Sequence, residues 1–122
     1  METEAPLVLV VDDEVLIALD MALTLEDEGY RVLGPALSLE AAMKLVELEQ
    51  PDAAVLDINI GSHTVWPLAQ QLSDSGIPMV FASANLSHRE LREEYSDQPR
   101  LNKPVSGHGI LSTLKVCLGR AT

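Results

Sequence analysis

The chain is 122 residues long, 47% apolar and 22% charged, with only 3% aromatics, which is the size of one domain with an aliphatic, alanine-rich core. Its net charge of -11 argues against direct nucleic-acid binding, which needs Lys and Arg to neutralise phosphates, and fits a cation site or a protein partner. The lone Cys117 rules out an internal disulfide and suits a reducing compartment, and no apolar run nears the ~20 residues of a membrane span. Met1-Glu2-Thr3-Glu4 lacks the basic start of a signal peptide. The expectation is a soluble, cytoplasmic protein whose residues 1–122 form a single domain, without repeat or linker.

Leu7-Val8-Leu9-Val10-Val11 is a continuous apolar run, the pattern of a strand buried on both faces. It ends in Asp12-Asp13-Glu14. A helix follows, with Leu16, Leu19 and Leu23, together with Ala22, as its expected core-facing stripe. Asp13 and Glu14 could also serve the dipole of that helix, and Gly29 closes it. Arg31-Val32-Leu33 is a short second strand. Ser38 is placed to cap a second helix with the stripe Leu39, Ala42, Met43 and Val46, ended near Pro51. Ala53-Ala54-Val55-Leu56 is a third buried strand, and it runs straight into Asp57-Ile58-Asn59.

Ile58 to Thr64 reads as a loop around Gly61. Val65, Leu68, Ala69 and Leu72 then have the spacing of a core-facing helix, with Pro67 in its first turn, Trp66 off the stripe and Gly76 at its end. Met79-Val80-Phe81-Ala82 is the fourth strand, ending at Ser83. Ser87-His88-Arg89-Glu90 has the form of a capping box for a weak helix whose stripe is only Leu86, Leu91 and Tyr95. Arg100-Leu101-Asn102 is a fifth strand leading into Lys103-Pro104. Ser106 caps a last helix with Ile110, Leu111, Leu114, Cys117 and Leu118 inward, which makes Cys117 a core residue.

Strands alternating with helices imply a parallel sheet with right-handed crossovers and helices on both faces. Such sheets carry their chemistry outside the carboxyl ends of the strands, and four strands here end in or lead to Asp12-Asp13, Asp57, Ser83 and Lys103. Carboxylates this close raise one another's pKa, and a divalent cation removes the conflict. Mg²⁺ takes oxygen ligands and keeps positions open for water or phosphate. The carbonyl of Asn59, two residues past Asp57, is spaced to be a further ligand. Phosphoryl transfer is mostly positioning and charge neutralisation, so Asp57 is the candidate acceptor, Lys103 the ammonium and Ser83 the hydroxyl that meets the phosphoryl group. Each residue alone has a plainer reading, as a helix start, a turn cap or a solvated lysine. Their arrival together at four strand ends carries the inference. His63, His88 and His108 share no ligand spacing, and no Gly-rich phosphate loop is present.

Asp12-Asp13, Asp57, Ser83-Ala84 and Lys103-Pro104 together resemble the receiver domain of two-component response regulators, over the whole chain. The resemblance implies a flavodoxin-like (βα)5 sandwich of strand order 2-1-3-4-5. It implies a signalling domain rather than an enzyme proper, in which Asp57 takes a phosphoryl group from a sensor histidine kinase or a phosphotransfer protein. Mg²⁺, or Mn²⁺ in its place, would be held by Asp12, Asp13, Asp57 and the Asn59 carbonyl. Output would pass through protein contacts, or the domain would act as a phosphate shuttle or sink. The expected state is a monomer or weak dimer, with no nucleic acid and no membrane.

Asp57-Ile58-Asn59-Ile60-Gly61, Val65-Trp66-Pro67-Leu68-Ala69 and Pro78 through Ala84 are further similar to the FAT GUY receiver subgroup, whose partners are often kinases of the HWE type. Ser83-Ala84-Asn85 stands where that subgroup has Thr-Gly-Tyr. Arg100 stands where most receivers carry the Tyr or Phe that moves inward on activation, and a guanidinium is costly to bury in that way. Ser83 and Arg100 are thus the switch candidates, with the response expected in the loop after Ser83 and the helix near Ser87–Tyr95. Two alternatives stand beside this reading. One is a receiver cut from a longer regulator or hybrid kinase. The other is a phosphatase of the haloacid dehalogenase type, which needs an acid where Asn59 stands and a nucleophile after the first strand rather than the third.

Overall fold

The computed structural model describes residues 5–121. All five expected strands form: β1 (Leu7–Val11), β2 (Arg31–Ala36), β3 (Ala53–Leu56), β4 (Met79–Ser83) and β5 (Arg100–Asn102). They make one parallel sheet in the order β2-β1-β3-β4-β5. Every residue of β1, β3 and β4 is buried, as unbroken apolar runs require of central strands covered on both faces. Val11 pairs with Leu56, and Leu56 with Phe81. Asp12 and Asp57 therefore leave the sheet side by side. Ser83 pairs with Asn102, so Lys103 emerges one residue beyond Ser83 on the same edge.

Five helices return the chain: α1 (Val15–Asp27), α2 (Leu39–Leu48), α3 (Trp66–Asp74), α4 (Arg89–Glu93) and α5 (Gly107–Ala121). Leu9, Val11, Leu56 and Phe81 point to the layer holding Ala42, Leu68, Leu72 and Leu91. Val8, Val10, Val55 and Val80 point to the opposite layer, with Met21, Leu25, Ile110, Leu114 and Cys117. The period-2 alternation of each strand thus feeds two cores at once. Cys117 is buried, as read from its place on the α5 stripe.

The stripe expected on α1 is overturned at its three leucines and holds only at Ala22. Leu16, Leu19 and Leu23 are 82%, 47% and 60% exposed, while Ala18, Met21, Ala22 and Leu25 are buried. Both faces of α1 are apolar. The face with two alanines wins because it lets the helix lie close to the sheet. The stripes of α2 and α3 follow expectation, and Ser38 Oγ accepts the Ala41 N–H at 3.1 Å. At α5, Ser106 Oγ accepts the Gly109 N–H at 3.0 Å.

The capping box at the start of α4 does not form. His88 is the N-cap residue and makes no side-chain cap bond. The Ser87 hydroxyl and N–H instead donate to Asn85 Oδ1 at 2.6 and 3.0 Å, a local turn that competes with capping. The segment read as a loop after Asp57 contains a small antiparallel hairpin, Asn59–Ile60 against His63–Thr64. It turns at Gly61, whose φ of +63° suits glycine, and is anchored by buried Ile60.

Candidate functional site

Asp12, Asp13 and Asp57 converge at the carboxyl edge of β1 and β3, each offering a carboxylate oxygen within 4.8 Å of the others. Asp12 is fully buried and Asp57 is 7% exposed, whereas Asp13 is exposed. Hard oxygen donors set this close fit a small divalent cation.

Lys103 reaches across from the end of β5. Its Nζ donates to Asp12 Oδ2 at 2.7 Å, to Asp57 Oδ2 at 3.1 Å and to Glu14 Oε1 at 3.5 Å. Burial is the largest influence on Asp57 and pushes its carboxyl above the ordinary value of 3.8; the Lys103 bond opposes that and the Asp12 charge adds to it. For Lys103, burial works to lower the ammonium pKa, but the bonds to Asp12 and Asp57 outweigh it, so the group titrates above 10.5. The lysine is therefore charged at neutral pH, beside a carboxylate that is poorly stabilised as an anion.

The acids are oriented by backbone donors. Asp12 Oδ1 accepts the Glu14 N–H at 2.9 Å, and Asp13 Oδ2 accepts the Gly61 N–H at 2.7 Å. The second bond clasps the hairpin to the acidic pair and places the segment holding Asn59 beside the cluster. Ser83 is buried at the end of β4, and its Oγ accepts the Asn85 N–H at 3.3 Å, which leaves the hydroxyl proton to be donated. The four strand ends singled out from the sequence thus share one edge, and at it Asp12, Asp13, Asp57 and Lys103 meet. Glu14 and the Gly61 amide also belong to the site and were missed. Glu14 could have been found as the third acid of its run, but a backbone donor has no residue-type signal.

Arg100 does not point to this cluster. Its Nη2 donates to the carbonyls of Leu91 and Tyr95 at 3.2 Å and of Ser96 and Gln98 at 3.5 Å, closing the carboxyl end of α4. Aromatic contact there comes from Tyr95. It stacks on Trp66 with ring centroids 5.7 Å apart and planes 7° from parallel, and tilts against Phe81 at 5.6 Å. These rings tie α3 and the α4–β5 turn to β4, two residues before Ser83.

Among solved structures, a receiver domain protein from Methanospirillum hungatei superposes with a TM-score of 0.86 at 21% identity, covering 96% of each chain. A response regulator receiver protein from Sinorhizobium medicae gives 0.85 at 24% identity, covering 98% of each. Among curated proteins, the transcriptional regulatory protein PdtaR of Mycobacterium tuberculosis is 28% identical over 116 residues, 93% of this chain and 57% of that protein. The alkaline phosphatase synthesis transcriptional regulatory protein PhoP of Bacillus subtilis is 32% identical over 118 residues, 93% of this chain and 49% of that protein. The chain therefore spans about half the length of these curated relatives. Residues 8–114 match the family model of the response regulator receiver domain. With the parallel five-stranded order and an acid cluster at its carboxyl edge, that match makes the chain a member of the receiver domain family of two-component response regulators.

Proposed function

We propose that Asp57 accepts a phosphoryl group from a phosphohistidine on a sensor histidine kinase or phosphotransfer protein. The observation that carries this is the Asp57 carboxylate, bonded to Lys103 at 3.1 Å and sharing a 4.8 Å cluster with Asp12 and Asp13. In the transfer, an Asp57 oxygen bonds to phosphorus as the donor P–N bond breaks, and the imidazole leaves with the bonding pair. Burial favours this, because a carboxylate held above its ordinary pKa is the more nucleophilic. Lys103 stays protonated and offsets charge on the phosphoryl oxygens, and Ser83 donates its hydroxyl proton to one of them. Asp12, Asp13, Asp57 and the Asn59 carbonyl would hold Mg²⁺, or Mn²⁺ in its place. Bound there, the cation offsets carboxylate and phosphoryl charge together.

The donor is proposed to dock beside α1. Leu16, Leu19 and Leu23 form an exposed apolar strip next to the site. A mostly apolar cavity of about 320 Å³, lined by Leu16, Ile17, Met21, Pro104 and Val105, adjoins Lys103. A helix with an apolar stripe and a basic rim would complement this strip and the -11 net charge. The similarity to the FAT GUY subgroup favours a kinase of the HWE type. We read residues 1–122 as one cytoplasmic domain, monomeric or weakly dimeric because its charge opposes self-association. Its output runs through protein contacts of the Ala84–Tyr95 segment or through passing the phosphoryl group on.

The test is intact mass after incubation with acetyl phosphate and Mg²⁺. One phosphoryl adduct is expected on the wild type and none on Asp57→Asn. No adduct on the wild type, or an undiminished one on the variant, sinks the reading.

A further inference from the structure

The Glu14 carbonyl accepts the Ala18 N–H at 2.9 Å, but the Glu14 side chain is used neither by the helix nor by the proposed cation shell. Glu14 occupies the N-cap position of α1, yet its side chain makes no cap bond. Its carboxylate turns instead to Lys103, 3.5 Å away, and the side chain remains 61% exposed at the mouth of the site. The bond from its N–H to Asp12 Oδ1 at 2.9 Å fixes the backbone that presents it. Lys103 also reaches Asp57 Oδ2 at 3.1 Å, so the Glu14 carboxylate lies within about 7 Å of the Asp57 carboxylate, close enough for its field to be felt through water.

We propose that Glu14 is a specificity-determining residue, a fixed negative charge that holds back small, multiply charged phosphate donors and reserves Asp57 for donors carried by a protein. This rests on Asp57 being the phosphoacceptor. Asp12, Asp13, Glu14 and Asp57 set four negative charges against the one of Lys103, so a bound divalent cation still leaves the mouth negative. A free dianion must approach against that field with only Lys103, Ser83 and the bound cation to hold its phosphoryl group. A protein-borne donor is held by apolar contacts elsewhere. Glu14 also draws on the Lys103 charge that an incoming phosphate would otherwise use. At this separation, with physiological screening, the repulsion of a dianion corresponds to roughly a threefold change in rate.

The test compares wild type and Glu14→Gln at saturating Mg²⁺, by initial rates of adduct formation in intact mass spectra. Two donors are used: acetyl phosphate, with two negative charges, and phosphoramidate, with a net charge of one. The variant is expected to react about threefold faster with acetyl phosphate and less than twofold faster with phosphoramidate, with the advantage shrinking as salt is added. Glu14→Lys should be faster again with acetyl phosphate. If wild type is modified at Asp57 and Glu14→Gln matches it with both donors and at all salt concentrations, the role of Glu14 is overturned and the phosphoacceptor stands. An equal gain with both donors that salt does not alter also overturns it, since that is a change of shape. If neither donor modifies the wild type, both readings fall.

Discussion

Asp57 gives up water on entering the fold and is only partly compensated by Lys103, so its folded pKa lies above the unfolded value of 3.8. Above that range the folded state must hold a carboxylate it disfavours, and stability is lost as pH rises through the interval. Asp57→Asn removes this burden. In chelator-treated buffer it should stabilise the domain at pH 7, and by little well below pH 3.8, where the wild-type acid is protonated in both states. Urea unfolding at the two pH values measures the difference, and an equal gain at both would point to packing instead. Lys103 behaves in the opposite sense. Its raised pKa contributes stability that is complete below 10.5 and lost as pH rises through the higher folded value. At this scale much of the candidate site was legible, because a carboxylate that ends a buried apolar run, as Asp12 and Asp57 do, has few reasons to be there, whereas Lys103 follows the polar strand Arg100-Leu101-Asn102 and was legible only through its order in the chain. The Gly61 amide and the direction of the Glu14 side chain were hidden, since neither residue type nor spacing encodes where a donor or a carboxylate points.

Helix α1 shows where periodicity stops being decisive. Leu16, Leu19 and Leu23 satisfy a helical period, and so do Ala18, Met21, Ala22 and Leu25. A period identifies faces but cannot choose between two apolar ones. Close packing of small residues on the sheet made the choice. Leu25→Ala should therefore cost about 2–4 kcal/mol, and Leu16→Gln should stay within about 0.5 kcal/mol while slowing transfer from the cognate kinase. Thermal unfolding and a phosphotransfer assay separate the two. Helix α4 was expected to be the weakest and is only five residues long. What secures its end is Arg100, which collects carbonyls from Leu91 to Gln98. Arg100→Ala should speed amide exchange across residues 89–98 about tenfold, the scale of a lost charged hydrogen bond, with little change in β1 or β3. A beryllofluoride phosphoryl mimic should likewise alter exchange in Ala84–Tyr95. Unchanged exchange there would remove this segment from the output path.

At the scale of the molecule, alternation of strand and helix was sufficient to give the sheet and its direction, since parallel strands need crossovers of one hand. The hairpin after Asp57 was not legible, because two-residue strands leave no pattern to read. The parallel sheet also sorts the molecule into two ends. All five strands point their carboxyl ends at the Asp57 cluster. At the other end Asp52 Oδ2 takes the Leu7 N–H at 2.8 Å, and Arg31 Nε donates to the Ala5 carbonyl at 2.9 Å. Cys117, late in α5, lies at that end too, beside Gly76, Pro78 and Pro99. The chain thus enters and leaves its described span on the side away from the chemistry. A dye, tag or second domain joined next to Ala5 or beyond the end of α5 would thus be attached on the side away from Asp57, so the domain can be tethered or fused while the edge that carries the acid cluster stays open to visitors.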